Sequence, residues 1–222
     1  MRFSVIAVLA LCLCSPIWAE TVTIEASRDT TLIEEPDGAL ADGSGPALRV
    51  GKTGEGSVRR ALLYFDVASA LPPKAIVESV ELTIHMEPSH AELREYRLHR
   101  VLADWGEGAS ATGGGQGAPA APGDATWIHT FYDNEFWTHS GGQFAGQPSA
   151  TNEIAGPAAY TWESTRRLVR DVRRWKSSPR TNHGWILIGG ETARNTAKRF
   201  ASRENADPAL RPVLEITYRT RD

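Results

Sequence analysis

Large aromatic side chains gather in the middle of the chain, between residues 103 and 157, and they are the first candidates for chemistry. Flat aromatic faces stack on sugar rings, while neighbouring polar groups bind the sugar hydroxyls. Trp127, Tyr132 and Trp137 are the candidate ligand-binding residues of this stretch. The alternative is that these rings form a small core of their own, because large aromatic side chains are usually mostly buried.

Arginine supplies the second set of candidates, because its planar fork pairs bidentately with a carboxylate such as that of a uronic acid. The candidates flank strands that can be neighbours, and they are Arg59, Arg60, Arg199 and Arg203. Arg203 has an alternative role, since it can pair with the adjacent Glu204 as a structural clamp. A further basic run over residues 166–176 is typical of a solvated helix face, and its partner in an exported protein would be an acidic polysaccharide.

Carboxylates offer the hard oxygen ligands that calcium prefers. Asp29, Asp37, Asp42 and Glu204 are the candidate ligands of a structural calcium ion, although their spacing matches no dedicated calcium loop. The alternative for Asp37 and Asp42, each followed by glycine, is a plain turn. The six histidines include no pair at metal-binding spacing on a helix, so the sequence predicts no zinc site and no other cofactor.

The sequence contains few motifs that indicate catalysis. The sequence contains no Gly-x-Ser-x-Gly elbow, no phosphate-binding loop and no dinucleotide fingerprint. His129, Tyr132 and Asn134 lie in one aromatic segment and are residue types that a polysaccharide lyase uses for proton transfer and for neutralising a uronate. The same types also meet by accident in aromatic loops, so the sequence favours a protein without catalytic residues.

The elements that must hold these residues are strands rather than helices. After Arg59 and Arg60, Leu62 and Tyr64 point one way while Ala61, Leu63 and Phe65 point the other. This alternation of apolar residues is typical of a central strand covered on both faces.

The clearest period of two lies in residues 76–86, and residues 185–188 form a second strand that is apolar on both faces. Residues 163–175 form the one convincing helix, with Ser164 or Thr165 as its cap. About ten strands and one helix predict an all-β fold. We expect a single antiparallel β-sandwich of jelly-roll type, with one short helix and a long loop insertion rich in glycine and aromatics over residues 103–157.

The first 19 residues have the pattern of a signal peptide, with Arg2 before an apolar run and a plausible cleavage site at Ala19. We therefore expect a secreted or periplasmic protein whose single domain covers residues 20–222. The apolar run is too short for a stable membrane span.

Both cysteines, Cys12 and Cys14, lie in the leader, so the mature domain must be stable without disulfides. A formal net charge of −3 gives no indication of nucleic-acid binding.

Several motifs together resemble one family. They are Asp29-Thr30, residues 60–66 followed by Leu71-Pro72, residues 76–82, Asp104-Trp105-Gly106-Glu107, Ala125-Thr126-Trp127, the helix ending in Trp175, Asn182-His183-Gly184-Trp185, and residues 200–205 leading to residues 211–218. In this order the motifs resemble the DNRLRE-type domains, which are related to the disaggregatase-associated repeats and grouped with carbohydrate-binding modules. The resemblance covers most of the mature chain and implies an extracellular jelly roll that binds polysaccharide, in some members uronic-acid polymers such as alginate. It does not imply catalysis.

The sequence therefore predicts a secreted, non-catalytic carbohydrate-binding module whose partner is a polysaccharide or a cell-surface glycan and whose cleft is bounded by residues 103–157. Two alternatives remain open at this point. One is a structural or adhesive surface protein that contacts another protein, and the other is a small polysaccharide lyase. The oligomeric state is not indicated by the sequence.

Overall fold

The computed structural model describes residues 19–220, which fold mainly into antiparallel strands. The strands are β1 (Glu20–Glu25), β2 (Arg28–Ile33), β3 (Leu40–Ala41), β4 (Ala47–Lys52), β5 (Val58–Tyr64), β6 (Ala75–Met86), β7 (Arg94–Arg100), β8 (Ala118–Pro119), β9 (His129–Phe131), β10 (Glu135–Phe136), β11 (Ala150–Ile154), β12 (Ala158–Trp162), β13 (Trp185–Ile188), β14 (Lys198–Ala201) and β15 (Val213–Thr220). The helices are α1 (Val67–Ala70) and α2 (Arg166–Ser177), and 3-10 turns occupy Pro179–Thr181 and Pro208–Leu210. The signal peptide predicted over residues 1–19 lies outside the described residues except for Ala19.

Two antiparallel layers make up the sandwich. The first layer has the order β1-β15-β6-β12, with β14 and the first part of β4 continuing beside the end of β6. The second layer has the order β2-β5-β13-β7-β11. Strand β4 belongs to both, because Ala47–Val50 pairs with β14 while Gly51 and Lys52 pair with β5. The all-β antiparallel sandwich predicted from the sequence is confirmed.

The main core lies between the layers, and the period of two in β6 produces its largest contribution. Val80, Leu82, Ile84 and Met86 all point inward and are at most 3% exposed. Burial of each such side chain contributes roughly 1.5–3 kcal/mol. Strand β5 is buried on both faces as predicted, since Leu63 faces this core and Leu62 faces a second one.

The second core lies under residues 101–149, hereafter the excursion, which cover the outer face of the second layer. Leu32, Leu62 and Ile186 of the sheet meet Trp105 and Trp137 of the excursion there. The excursion is therefore packed rather than a free loop. It contains the short strands β8, β9 and β10, which were not expected because two- and three-residue strands leave no periodic pattern to detect.

Helix α2 closes one end of the main core. Thr165 caps it by accepting a hydrogen bond from the backbone N–H of Leu168 at 3.0 Å, and Pro179 follows its last turn. Leu168, Val172 and Trp175 are buried, so the arginines between them face outward. The predicted helix is confirmed with shifted bounds. The one-turn helix α1, capped by Asp66, was missed because four residues are too few for a helical period.

Lys198 is an unusual member of the interior, because it is only 1% exposed. Its ammonium group donates hydrogen bonds to the carbonyl oxygens of Glu92 and Ala155, each at 2.8 Å, and to that of His90. Burial lowers the pKa of Lys198 from its ordinary value. Three carbonyls from two separate segments thus converge on one cation and join the loop before β7 to the turn after β11.

Candidate functional site

Trp137 does not present a ring face to ligand. It is 5% exposed, belongs to the second core, and donates its indole N–H to the carbonyl oxygen of Thr126 at 2.9 Å. The expectation that Trp137 binds ligand is therefore corrected, because the excursion uses this indole to pack onto the second layer. The alternative of a core of the loop's own describes Trp137 only in part, because this core is shared with Leu32, Leu62 and Ile186 of the sheet.

The other two aromatic candidates are half-buried. The ring of Trp127 is covered by the guanidinium of Arg60, which lies 4.9 Å from the ring centroid. Tyr132 packs edge-on against His129 at 5.0 Å between centroids. The most exposed aromatic ring of the cluster is Phe136, at 60% exposure.

The four candidate arginines do not converge on one site. Arg59 is 4% exposed and donates to the carbonyl oxygen of Val58 at 3.1 Å, so its predicted contact with ligand is corrected. Arg60 forms a bidentate pair with Glu191 at 2.8 and 2.9 Å and donates to the carbonyl of Gly141. Successive residues of a strand point to opposite faces, which is why these two neighbours are separated.

The remaining two arginines lie elsewhere. Arg199 pairs with Glu87 at 2.9 Å and stands opposite Arg49 across the β14–β4 ladder. Arg203 pairs with the adjacent Glu204 and lies 3.4 Å from Glu107, as the clamp interpretation predicts. Each of these guanidiniums already has a carboxylate partner, which reduces its availability to a ligand.

Of the four calcium candidates, two meet at one place. One carboxylate oxygen from each of Asp29, Glu204 and Glu107 lies within 4.8 Å of the others. Glu107 was not predicted as a member, because it comes from the excursion and nothing in its local sequence points to Asp29. Asp37 lies in an exposed turn, and Asp42 accepts a hydrogen bond from the backbone of Thr112 at 2.9 Å, away from this cluster. The Arg203 guanidinium already supplies one positive charge to the three carboxylates.

Burial raises the pKa of Asp29 well above its ordinary range, and the Glu204 and Glu107 carboxylates raise it further against the backbone N–H of Arg203. Because the folded-state pKa is raised, the stabilising effect of the bound proton is complete below the unfolded pKa of about 3.9 and is lost as the pH rises through the folded value. Asp29→Asn removes the carboxylate charge but keeps a side-chain oxygen that can accept the hydrogen bond from the backbone N–H of Arg203. Its free energy of unfolding relative to wild type should therefore increase as the pH rises from about 4 to 7.

Chemical denaturation of both proteins across that pH range tests this expectation. Asp37→Asn, at an exposed turn, is the matched control. A constant difference between Asp29→Asn and wild type at every pH would contradict the assignment.

The lyase residue types are not arranged around an opening. His129 is 5% exposed, and its Nδ1 forms a hydrogen bond with the Thr126 hydroxyl at 2.9 Å. Burial lowers the pKa of His129. Asn134 is exposed and donates to its neighbour Asp133, so the three residues do not face a common cavity.

Two of the openings in the surface of residues 19–220 contain a half-buried arginine and are candidates for ligand. The first, hereafter the excursion cleft, has a volume of about 360 Å³ and is lined mainly by residues of the excursion. Arg60 forms its floor beside the ring of Phe144, and its other lining residues are Leu102, Thr138, His139, Ser140, Gly142 and Gln143.

The second opening, hereafter the arginine groove, has a volume of about 470 Å³ and runs along helix α2. Its floor is Arg100, whose guanidinium pairs with Asp171 at 3.1 Å. Asp171 is 7% exposed and also accepts hydrogen bonds from the indole of Trp185 at 3.1 Å and from the hydroxyl of Ser149. Arg100 is thus held by a buried carboxylate that is itself fixed by two further donors.

Arg167, Arg170 and Arg174 form the rim of the groove and are exposed. Within residues 19–220, none of the three forms an ion pair with a carboxylate; Arg167 donates to the side chain of Gln147. The single carboxylate of the lining, Asp171, balances Arg100 alone. The groove is therefore positively charged although the whole chain carries a net charge of −3.

Arg100 is the residue that sequence reasoning missed. The arginines of α2 were recognised as a basic helix face, but nothing local distinguishes an arginine at the end of a strand. Its only signal is Asp171, a lone acid among the arginines of a helix, and that signal is visible only once β7 and α2 are known to be neighbours.

A comparison with protein-family models gives no match for this chain, and a comparison with curated proteins gives no significant match. In the part of the chain that the structure describes, neither helix has the length and apolar character that crossing a bilayer requires.

Proposed function

We propose that this protein is a secreted, non-catalytic carbohydrate-binding module that holds an acidic polysaccharide in the arginine groove. The observation that carries this proposal is the set of unbalanced arginines, Arg167, Arg170 and Arg174, around the fixed floor arginine Arg100. Guanidinium groups bind carboxylates with paired, charge-assisted hydrogen bonds, and a uronic acid supplies such a carboxylate on each sugar.

The spacing of the rim also suits a chain molecule. Arg167, Arg170 and Arg174 follow one another at three and four residues, so they share one face of α2. At a rise of about 1.5 Å per residue, the backbone positions of Arg167 and Arg174 are roughly 10 Å apart. Extended polymers with repeated anionic groups match such a row better than a single small anion does.

The lining supports binding rather than catalysis. Its one carboxylate, Asp171, accepts bonds from Arg100, Trp185 and Ser149, so it is engaged rather than poised for proton transfer. The resemblance to the DNRLRE-type domains also supports polysaccharide binding, and the leader-like residues 1–19 support export. Calcium would have to share the Asp29 cluster with the Arg203 guanidinium, so we propose no role for it in holding ligand.

Affinity electrophoresis against a panel of neutral, carboxylated and sulfated polysaccharides tests the proposal. We expect retention by carboxylated chains that decreases steeply with salt, because the Debye length shortens from about 30 Å at 0.01 M to about 3 Å at 1 M ionic strength. Neutral chains of the same length serve as the control. Salt-independent retention would contradict an electrostatic groove.

Two other outcomes identify the alternative functions. Retention by no glycan, together with one discrete protein partner, indicates an adhesive or structural domain. The appearance of unsaturated uronate absorbance on incubation with alginate or pectin indicates a lyase.

A further inference from the structure

We infer that the excursion cleft is a second binding site, separate from the arginine groove, and that it takes an uncharged pyranose unit of a glycan. This inference goes beyond the proposed function, because the site is built from residues that do not line the groove and has a different charge. It follows from where the cleft lies, from how its walls are held and from the hydrogen bonds of its arginine.

The two openings lie on opposite faces of the second layer. Arg100 lies on the face of β7 that carries Leu98, a member of the main core. Arg60 lies on the face of β5 that carries Leu62, a member of the second core. The linings of the two openings have no residue in common. A sugar in the cleft can therefore be bound at the same time as a polymer in the groove.

The walls of the cleft are held by contacts within the protein. The backbone of Phe144 pairs with Val101 in a short β-bridge, and the imidazole of His99 packs edge-on against the Phe144 ring at 5.2 Å between centroids. The backbone N–H of Leu102 donates to the backbone carbonyl oxygen of Gln143 at 2.9 Å. These contacts fix the ring and the backbone beside it before a ligand arrives, which reduces the entropy lost on binding.

Arg60 gives the cleft a floor whose positive charge is already balanced. Its Nε and Nη2 atoms donate to the carboxylate of Glu191 at 2.8 and 2.9 Å, and its Nη1 atom donates to the carbonyl oxygen of Gly141 at 2.7 Å. The guanidinium also lies over the ring of Trp127, 4.9 Å from the centroid. A carboxylate entering the cleft would have to displace Glu191, and the rest of the lining offers it no arginine or lysine. The cleft therefore favours a ligand without charge.

The remaining groups of the lining match the surface of a sugar. Phe144 and Leu102 supply apolar surface for the C–H face of a pyranose ring. The Thr138 hydroxyl donates to the side-chain oxygen of Gln143 at 2.7 Å, which leaves the amide nitrogen of Gln143 as a donor and the Thr138 oxygen as an acceptor for sugar hydroxyls. A volume of about 360 Å³ is near the lower end of the range for ligand pockets, so the cleft suits one or two sugar rings rather than a long chain.

Calorimetry with neutral hexasaccharides of glucose, mannose, galactose or xylose, at low and at high salt, tests the inference. We expect wild type to bind at least one of them with the same affinity at both salt concentrations, because no net charge is paired. Gln143→Ala and Phe144→Leu should each weaken this binding about tenfold, the first by removing a hydrogen bond and the second by removing the ring face. The side chain of Gln143 bonds only the exposed Thr138 in the described residues 19–220, so the effect of Gln143→Ala does not depend on how Phe144→Leu packs.

The matched control is the groove variant Arg170→Ala/Arg174→Ala. It should bind the neutral hexasaccharide within about twofold of wild type, because distant sites act independently. The two cleft variants should in turn retain wild-type affinity for a carboxylated polysaccharide. Since the cleft gives neutral chains an affinity of their own, the affinity electrophoresis of the groove is repeated with the cleft variants, in which neutral chains are a complete control.

Three results would overturn the inference. They are the binding of none of the neutral hexasaccharides by wild type, wild-type affinity of both cleft variants for a hexasaccharide that wild type binds, and equal losses in the cleft and groove variants. The two proposals fail separately. Retention of carboxylated chains without binding of neutral ones leaves the groove alone, whereas salt-independent binding of a neutral hexasaccharide without retention of carboxylated chains supports the cleft and refutes the proposed function.

Discussion

Replacing Arg170 and Arg174 together with alanine is expected to weaken binding of a carboxylated polysaccharide about 100-fold. Each exposed guanidinium lacks a carboxylate partner in the described residues 19–220 and lines the arginine groove, so a bound carboxylate would be its main partner. A hydrogen bond to a charged group contributes about 1.5–3 kcal/mol, and about 1.4 kcal/mol corresponds to a tenfold change in affinity. The two losses should combine to roughly two orders of magnitude, as measured by calorimetry at low salt.

Folding should be unaffected by this double variant, because both positions are exposed on a helix where alanine is favourable. The matched control is Arg94→Ala/Arg194→Ala, which removes the same charge elsewhere. Arg94 begins β7 whereas Arg100 ends it, so Arg94 is about 20 Å from the floor of the groove. Equal losses of affinity in the two double variants would mean that net charge, and not the groove, attracts the polymer.

Lys198→Met is expected to cause a large loss of stability. Methionine has a similar length, but it cannot donate, so the carbonyl oxygens of His90, Glu92 and Ala155 would lose a shared buried donor. Unsatisfied buried groups cost about 1–3 kcal/mol each, which suggests a decrease of roughly 3–5 kcal/mol in the free energy of unfolding. In a domain of this size the melting temperature should decrease by roughly 10 °C or more.

Urea denaturation and thermal melts measure this effect. Lys74→Met, at an exposed position, is the control and should stay within about 0.5 kcal/mol of wild type. A change below about 1 kcal/mol for Lys198→Met would show that water replaces the ammonium group without strain.

The regular strands could be predicted because the pattern of buried and exposed residues in each of them is visible in its own sequence. The inward residues of β6 alternate with outward ones, and the residues of β5 and β13 are apolar on both faces, so period and composition were sufficient. The orientation of Trp137 could not be predicted, because the excursion has almost no periodic structure from which a buried side could be deduced. Its indole is buried against the second layer, and that contact depends on how distant parts of the chain are arranged in the fold rather than on the residues near Trp137.

The candidate site was predictable only in part, for the same reason. Arginines on a helix face are visible in sequence, but the groove also needs Arg100 from β7, Ser149 from the excursion and Trp185 from β13 around Asp171. These residues meet only after the layers have formed. Glu107 joins Asp29 and Glu204 in the same way, so only two of the four carboxylates predicted as calcium ligands belong to the acidic cluster.

Strand β4 has a consequence for the rigidity of the sandwich. Because one strand is hydrogen-bonded to β14 in one layer and to β5 in the other, the two layers cannot hinge apart along this edge without breaking ladder bonds on both sides. Motion of one layer relative to the other is therefore resisted at the edge where β4 lies. For the proposed binding of a polysaccharide, the conformational entropy lost on association would come mainly from the sugar chain and the arginine side chains rather than from hinge motion at this edge.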